Sequence, residues 1–442
     1  MPASNAKKNV IIMGAAGRDF HDFNVYWKNQ PDCHVVAFTA NQIPDIAGRV
    51  YPKQLAGDQY PNGIPIEIEK DLAALIKQHN VTEVALAYSD LSYMDVMHKA
   101  STVNAAGADF KTMGWKQTMI ASKKPVIAVC AVRTGCGKSQ TTRKVCEYLK
   151  DLGKKVAVIR HPMPYGDLTK QICQRFATLA DLDLHNCTIE EREEYEPHIV
   201  AGNIVYAGVD YAEILRRAEE EADVIIWDGG NNDIPFYKPN LHIVVCDPHR
   251  PGHEISYYPG ETNVRMADLI IINKVDTAVV ESIELVEMNV RAVNPTAKIL
   301  RAESPVTVSS PDQVKGKRVL VVEDGPTVTH GEMAFGAGHV AAKRLGASEI
   351  VDPRPFAVGS IKTAFASYTH MTEVLPALGY GAKQMAELET TINATPCDLV
   401  LIGTPIDLSR SLKINKPTTR VTYELRENKE GDVLRSMIKK VV

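Results

Sequence analysis

Gly137, Lys138 and Ser139 are the residues whose types and spacing most directly suggest chemistry, because they follow the apolar run Val126–Ala131. In such a loop, consecutive N–H groups and the N-terminus of the next helix carry partial positive charge that binds phosphate. Lys138 would reach the outer phosphates, and the Ser139 hydroxyl suits Mg²⁺. The usual pattern has glycine where this chain has Val132, so the loop entrance departs from the common form. The spacing predicts a nucleotide phosphate loop (P-loop); the alternative is a glycine-containing turn.

Two later segments have the chain order that a P-loop protein requires. Asp228 ends an apolar run, and a carboxylate at that place can hold a metal through water or orient a nucleophile. Asn273, Lys274 and Asp276 end a second apolar run and form the Asn-Lys-x-Asp pattern by which guanine-specific P-loop proteins read the base. Open α/β sheets bind ligands at the carboxyl ends of their strands. We therefore expect all three segments to form one nucleotide site.

Apolar runs alternate with amphipathic segments along the chain, which is typical of an α/β protein with parallel sheets. We predict a Rossmann-like parallel sheet domain over residues 1–121 and a larger P-loop core over residues 122–442. The core includes a C-terminal section, from about residue 316, that carries substrate loops. The acidic run at residues 190–196 is predicted to be a solvated helix face or a lid.

The composition limits where the protein works and what it binds. A net charge of −4 and a pI near 6.4 argue against nucleic acid or an anionic membrane as the main partner. No apolar run approaches the roughly 18 residues of a membrane span, and the N-terminus lacks the apolar core of a secretion signal. The eight cysteines are scattered without a Cys-x-x-Cys pair, so we expect a reduced, cytoplasmic compartment.

Several predicted strands are followed by loops that contain Arg or His together with Pro and Gly. These side chains can grip phosphates or carboxylates through charge-assisted hydrogen bonds. If the strands share one sheet edge, the loops would form an acceptor pocket opposite Lys138. The alternative for each is an ordinary surface loop. The candidates are Arg160, His161, His249, Arg250 and His330.

Longer strings around these residues carry a family likeness. The chain resembles the archaeal cyclic 2,3-diphosphoglycerate synthetases and their bacterial relatives. The likeness is carried by Val-Arg-Thr-Gly-Cys-Gly-Lys-Ser-Gln at 132–140, Arg-His-Pro-Met-Pro-Tyr-Gly-Asp-Leu at 160–168, Asp-Gly-Gly-Asn-Asn-Asp at 228–233, Tyr-Pro-Gly-Glu-x-Asn at 258–263, Asn-Lys-Val-Asp at 273–276, Glu-Asp-Gly-Pro-Thr-x-Thr-His-Gly at 323–331 and Gly-Thr-Pro-Ile-Asp-Leu at 403–408.

The resemblance implies ATP-dependent ring closure of 2,3-diphosphoglycerate. The γ-phosphoryl group would pass to one substrate phosphate, which the other phosphate would attack to form an internal phosphoanhydride. By position we assign catalytic roles to Lys138, Asp228, Arg160, His161, His249, Arg250 and His330. We assign nucleotide binding to Arg133, Thr134, Gly135, Cys136, Gly137, Lys138, Ser139, Gln140, Asn273, Lys274 and Asp276, and Mg²⁺ binding to Ser139 and Asp228.

Other interpretations remain open at this stage. The Asn-Lys-x-Asp pattern would fit GTP instead of ATP, and the acceptor could be another small anionic phosphorylated metabolite. A GTP-driven metal or cofactor chaperone explains the same pattern, although the sequence shows no His-rich or Cys-bearing metal segment. A nucleotide-dependent sensor would leave the polar C-terminal loops unexplained. We also expect the chain to form a homo-oligomer.

Overall fold

The computed structural model describes residues 7–15, 17–41, 46, 48–161, 166–230, 233–379, 381–427 and 432–442. Within these ranges the strands form three large sheets, of six, nine and six strands, and one two-stranded ribbon. Most neighbouring strands are parallel and joined through helices, so the predicted α/β class is confirmed. No helix in the described ranges combines the length and apolar character needed to span a membrane.

The N-terminal sheet is parallel except at one edge, where a short strand turns back. Its apolar strands are buried on both faces, which is why they read as continuous hydrophobic runs and not as alternating patterns. In spatial order the strands are Val50–Tyr51, Ile64–Ile68, Cys33–Ala40, Lys8–Met13, Val81–Leu86 and Asp109–Thr112. The helices are Arg18–Val25, Lys53–Ala56, Leu72–Gln78, Tyr93–Ala106 and Trp115–Thr118.

The central sheet contains the predicted P-loop strand in its middle, between the strands that precede Asp228 and Asp247. In spatial order its strands are Gln174–Phe176, Ile204–Ala207, Val156–Arg160, Val224–Trp227, Val126–Ala131, Leu241–Cys246, Leu269–Ile272, Lys298–Glu303 and Arg426–Glu427. The helices are Lys138–Asp151, Leu179–Leu184, Ile189–Val200, Tyr211–Glu221, Gly260–Met266, Val280–Val293 and Val433–Lys439.

The C-terminal section has a sheet of its own, whose first strand begins at Val306. In spatial order the strands are Val306–Val308, Thr418–Tyr423, Leu399–Gly403, Arg318–Asp324 and Glu349–Ile350, and Val374–Ala377 also pairs with Arg318–Asp324. The helices are Gly325–Val328, Ala337–Arg344, Gly359–Ser367 and Ala382–Ala394.

A short antiparallel ribbon joins the N-terminal sheet to the central one. Leu91–Ser92, which follows an N-terminal strand, pairs with Tyr257–Tyr258 in a loop of the central section. The helix Ile189–Val200 joins the other two sheets, because Ile189 packs into the C-terminal core whereas Ile199 packs into the central core. The three sheets are thereby placed around one shared space.

Candidate active site at the edges of three sheets

One cavity of about 1050 Å³ lies where the carboxyl ends of strands from all three sheets meet. The N-terminal sheet contributes Ser89 and Asp90, the central sheet contributes the P-loop, and the C-terminal sheet contributes Glu323 and Asp324. A cavity of this size accommodates a nucleotide or a comparable ligand. The prediction that ligand-binding loops gather at one strand edge therefore agrees with the geometry.

The P-loop has a backbone that only glycine can adopt easily. Gly137 has φ +108°, and a Cβ atom there would lie 2.1 Å from the side-chain nitrogen of Asn273. The helix Lys138–Asp151 begins immediately afterwards, and its described N-terminus has no side-chain cap. The uncapped N–H groups and the glycine turn are the features that bind phosphate in such loops.

Lys138 belongs to a buried charge network beside the loop. Its Nζ lies 2.5 Å from Asp228 Oδ1, and Arg160 Nη1 lies 2.8 Å from Asp228 Oδ2. Burial alone would raise the pKa of Asp228, but Arg160 and Lys138 hold this pKa well below its ordinary value. His198, which the sequence analysis did not single out, lies 3.3 Å from the same carboxylate. Asp228 is therefore ionised and already neutralised by protein cations.

The residues assigned to Mg²⁺ fit that ion unequally. Ser139 lines the cavity next to Lys138. A residue at this place can hold a metal ion that bridges the nucleotide phosphates. Both oxygens of Asp228 face cations, so its assignment to the metal stays a prediction that requires Lys138 to move onto a phosphate. Among the described residues, no three His, Cys, Asp or Glu side chains converge on a metal position.

The predicted base-reading residues lie against the P-loop. Asn273 Nδ2 donates to the carbonyl of Cys136 at 2.9 Å, and Lys274 Nζ donates to the carbonyl of Gly135 at 2.7 Å. Asp276 Oδ1 accepts the Ser304 N–H at 2.9 Å. The structure thus brings the P-loop and the tetrapeptide together, and the Asp276 carboxylate is engaged by the Ser304 N–H. Cys136 is fully buried, and burial raises the pKa of its thiol to about 11, as expected for a passive residue.

The loop entrance, where Val132 replaces the usual glycine, is held by the N-terminal domain. Asp90 Oδ1 lies 2.5 Å from Arg133 Nε, and Asp90 Oδ2 accepts the Thr134 N–H and hydroxyl at 3.3 and 2.8 Å. Arg133 is 2% exposed and stacks 3.8 Å above the ring of Tyr257 in the ribbon. The sequence analysis missed Asp90 because nothing near it in the chain forms a motif.

Two of the predicted acceptor residues, His249 and His330, line the cavity. His249 Nε2 lies 2.9 Å from the Thr277 hydroxyl, and His330 Nδ1 lies 3.1 Å from the Tyr368 hydroxyl. Burial lowers the pKa of both imidazoles, so both are neutral at pH 7. They can therefore offer hydrogen bonds to a ligand but little positive charge.

Arg250 does not line the cavity; it joins the loops that surround it. Its guanidinium donates to the carbonyl of Thr134 at 2.8 Å and to the carbonyl of Gly331 at 2.6 Å, and pairs with Asp247 at 3.0 Å. Arg250 therefore ties the P-loop to the C-terminal section. Its contacts in the structure are those of a positioning residue and not those of a side chain open to an acceptor.

Arg160 and His161 also lie behind the cavity. Arg160 is 1% exposed and bridges Asp228 to Glu194, so its charge is already used. His161 packs on Trp227 and lies 3.5 Å from Asp233, and burial together with the Arg160 charge keeps the pKa of its imidazole well below the ordinary value. Residues 162–165 and 231–232, which contributed to the family likeness, lie outside the described residues.

The acidic run does not form a solvated helix face, so that alternative of the prediction was wrong; the other, a lid, stays a prediction. It lies in the helix Ile189–Val200, where Glu190 and Glu193 are each 5% exposed and line the cavity together with Glu194. The helix is wedged between the central and C-terminal sheets, which cover the side that would otherwise face water. Polar residues at positions 190, 194 and 198 share one side of this helix, but that spacing alone does not indicate an inward face.

Glu323 and Asp324 extend this acidic surface from the C-terminal sheet. Glu323 accepts N–H groups from Gly336, Gly338 and His339 at 3.1, 3.2 and 2.8 Å. Burial nevertheless raises the pKa of Glu323 to about 7, and burial also raises the pKa of Asp324. We define Glu190, Glu193, Glu194, Glu323 and Asp324 as the acidic wall of the cavity.

Fold and site together define a P-loop nucleotide-binding α/β protein. Residues 197–302 match the family profile described as cyclic 2,3-diphosphoglycerate synthetase, P-loop domain. Arginine synthetase ArcE of Thermococcus kodakarensis is 61% identical over 425 residues, which cover 96% of this chain and 95% of the relative. The cyclic 2,3-diphosphoglycerate synthetase of Thermococcus sibiricus is 31% identical over 55% of this chain and 59% of its own length.

The chain therefore belongs to the cyclic 2,3-diphosphoglycerate synthetase family, which includes the Thermococcus kodakarensis arginine synthetase, and the family likeness seen in the sequence is confirmed. Its relatives are synthetases, and the P-loop supports nucleotide binding. Among solved structures, LpxK of Aquifex aeolicus in complex with ATP covers 84% of this chain and 99% of its own at 13% identity, with a TM-score of 0.46. This loose overlap adds nothing to the assignment.

Proposed function

We propose that this protein is an ATP-dependent synthetase that forms arginine. The observation that carries the proposal is the presence of opposite charges in one cavity: the P-loop with Lys138 and the acidic wall both line it. A donor triphosphate suits the first side and a guanidinium suits the second. The full-length similarity to a protein named arginine synthetase supports the same substrate class.

The chemistry of arginine restricts the reaction. Its guanidino carbon has the oxidation level of a urea, so the nearest precursor is citrulline, in which oxygen replaces one guanidino nitrogen. The ureido oxygen would attack the γ-phosphorus while the bond to the ADP oxygen breaks. Ammonia would then attack the carbon, phosphate would leave with the C–O electron pair, and one proton would pass from the attacking nitrogen to the departing phosphate. One phosphoanhydride bond is consumed for each C–N bond formed.

The described residues can divide this work between them. The P-loop N–H groups and Lys138 would hold the transferring phosphoryl group and stabilise its charge. Ser139 would hold Mg²⁺, which when bound offsets charge on the nucleotide phosphates. The neutral imidazoles of His249 and His330 can orient the substrate through hydrogen bonds. Positive charge that develops on the guanidino group would lie near the acidic wall.

Ring closure of 2,3-diphosphoglycerate is the second candidate, and the matching P-loop domain profile favours it. That acceptor carries two phosphates and a carboxylate, which need cations opposite the P-loop. Two of the cations expected there, Arg160 and Arg250, are engaged in protein contacts. The acidic wall offers no cation to such an acceptor. The charge of the cavity therefore supports the arginine reaction over the cyclisation.

The decisive test incubates the purified protein in two parallel reactions. With ATP, citrulline and ¹⁵N-ammonium, we expect phosphate release that requires both co-substrates, and ¹⁵N in the guanidino group by NMR. A parallel reaction holds ATP and 2,3-diphosphoglycerate, followed by phosphorus NMR, and both are repeated with GTP. A cyclic phosphoanhydride without labelled arginine would replace our proposal with the second candidate.

A further inference from the structure

Glu193 is a buried carboxylate in the cavity whose surroundings do not suit a purely structural role. It is 5% exposed and lines the cavity, yet its Oε1 has no hydrogen-bond partner among the described residues. Burial raises its pKa well above the ordinary value, and the carboxylates of Asp324 and Glu190 raise it further. An unpaired buried carboxylate is costly to the folded state. Such a cost is retained where a ligand supplies the missing donor.

We propose that Glu193, with Asp324 beside it, forms the subsite that receives the guanidino group, an assignment that rests on the proposed function. A guanidinium carries five N–H donors in a plane, so it can serve two neighbouring carboxylates at once. The ureido group of the precursor offers N–H donors as well, but it has no positive charge. The subsite therefore binds the charged product-like state more tightly than the neutral precursor.

The position of Glu193 along its helix agrees with this assignment. The next residue, Glu194, bonds to Arg160, which in turn contacts Asp228 and so reaches Lys138. Glu193 and Lys138 line the same cavity, so a guanidino carbon at Glu193 would share that space with the transferring phosphoryl group. This is the end of the amino acid at which the oxygen must be phosphorylated.

The preference for a charged guanidino group also gives the subsite a part in the reaction. Between the neutral ureido precursor and the guanidinium product, the carbon centre gains a positive charge. Carboxylates that are in place before this change stabilise the later state without reorganising. Glu193 is thus inferred to contact the reacting group directly and to favour the forward reaction.

The test is the binding of L-arginine, agmatine and guanidinium chloride to the full-length protein in the presence of ADP, measured by calorimetry. Glu193→Gln keeps the shape and removes the charge, so we expect arginine affinity to fall about 10- to 100-fold, as for loss of one charge-assisted contact. ADP affinity should stay within about twofold. The matched control is Glu196→Gln on the same helix, where Glu196 pairs with Arg410 at 3.0 Å.

Thermal denaturation separates a ligand subsite from a structural role. If Glu193 awaits a ligand, Glu193→Gln removes repulsion with Asp324 and Glu190, and the Tm of the ligand-free protein stays equal or rises. A fall in Tm by several degrees would overturn the assignment, because it would show a stabilising contact within the protein.

The failure of this assignment and that of the proposed function give different results. Wild-type binding of arginine that Glu193→Gln leaves unchanged would overturn the subsite and leave the function standing. Glu193-dependent binding of agmatine or guanidinium without any binding of arginine would support the subsite and overturn the arginine reaction. Absence of binding by all three probes would overturn both.

Discussion

The two sides of the cavity are built on opposite principles. On the P-loop side, the groups come from short contiguous motifs, and nearly every charge has a partner: Lys138 pairs with Asp228, and Lys274 with Asp247. On the acidic wall, the groups come from a helix and a distant strand, and Glu193 Oε1 has no partner within the described chain. On the first side the charged side chains are paired without ligand, and the uncapped N–H groups suit many phosphate-bearing ligands. On the acidic wall a buried carboxylate lacks a partner, and the ligand that pairs with it determines which substrate the site accepts.

Removing the central charge of the P-loop side should produce the largest effect. Lys138→Ala deletes the cation that stabilises the transferring phosphoryl group, so turnover should fall about a thousandfold or more with the fold intact. Steady-state phosphate release and circular dichroism would measure both. Lys144→Ala, on the same helix but paired with Glu147, serves as the control. Near-normal turnover of Lys138→Ala would contradict this comparison, because the P-loop side would then not be the side that binds the phosphoryl donor ATP.

The next effect concerns Arg160, which connects the two sides. Arg160→Met leaves Asp228 and Glu194 without their shared buried cation, and loss of one partner of a buried pair costs about 3 kcal/mol or more of stability. Urea denaturation would measure the loss in the free energy of unfolding. Arg175→Met breaks an exposed pair with Glu221 and should change stability by less than about 1 kcal/mol. Equal stability of both variants would show that the network does not join the two sides.

Asp90 tests whether the P-loop side is complete by itself or needs the N-terminal domain. Asp90→Ala frees Arg133 and Thr134 at the loop entrance, so ATP affinity should fall roughly tenfold, the equivalent of about 1.4 kcal/mol. Fluorescent nucleotide titration would detect the change, and arginine binding should be affected less. Asp95→Ala, which removes a carboxylate that accepts the Ser92 hydroxyl at 2.6 Å at the start of a nearby helix, is the matched control. Unchanged ATP affinity would show that the contacts of Asp90 with Arg133 and Thr134 only join the domains.

The smallest effect should come from Asp276, at the outer end of the P-loop side. Its carboxylate accepts the Ser304 N–H, and in Asp276→Asn the amide oxygen can keep that bond. If ATP is the natural nucleotide, its affinity should fall by less than about fivefold, which corresponds to roughly 1 kcal/mol. Competition with GTP and xanthosine triphosphate sharpens the result. A swing toward the xanthine nucleotide would show that the tetrapeptide reads guanine, because donor and acceptor exchange places in the variant.

The donor side could be predicted because its signals are local. Val126–Ala131 forms the predicted strand, and the tetrapeptide ends the strand Leu269–Ile272 as expected. The helical part of the acidic wall could not be predicted, because buried charge is normally avoided, so Glu190 and Glu193 look solvent-facing in the sequence. Their burial arises from the docking of a second sheet whose helices, such as Ala382–Ala394, the sequence analysis did not place.

The assignment of Arg250 shows the same limit on a smaller scale. An arginine in a loop rich in Pro and Gly has the right charge for an anionic acceptor. Whether that charge is available depends on the carbonyls of Thr134 and Gly331, which lie far away in the chain. Residue type therefore predicted what the group could do, and tertiary structure decided whether it was free to do it.

The three-sheet origin of the cavity has a consequence for how the protein resists unfolding. A ligand that touches all three walls adds its binding free energy to the docking of the sheets and not to the hydrogen-bond ladders within them. At a hundredfold excess over Kd this amounts to about 2.7 kcal/mol. In amide hydrogen exchange, we expect arginine and nucleotide to slow exchange most in the ribbon Leu91–Ser92 with Tyr257–Tyr258 and in the helix Ile189–Val200. These two elements connect the sheets, so we expect bound ligand to protect both of them.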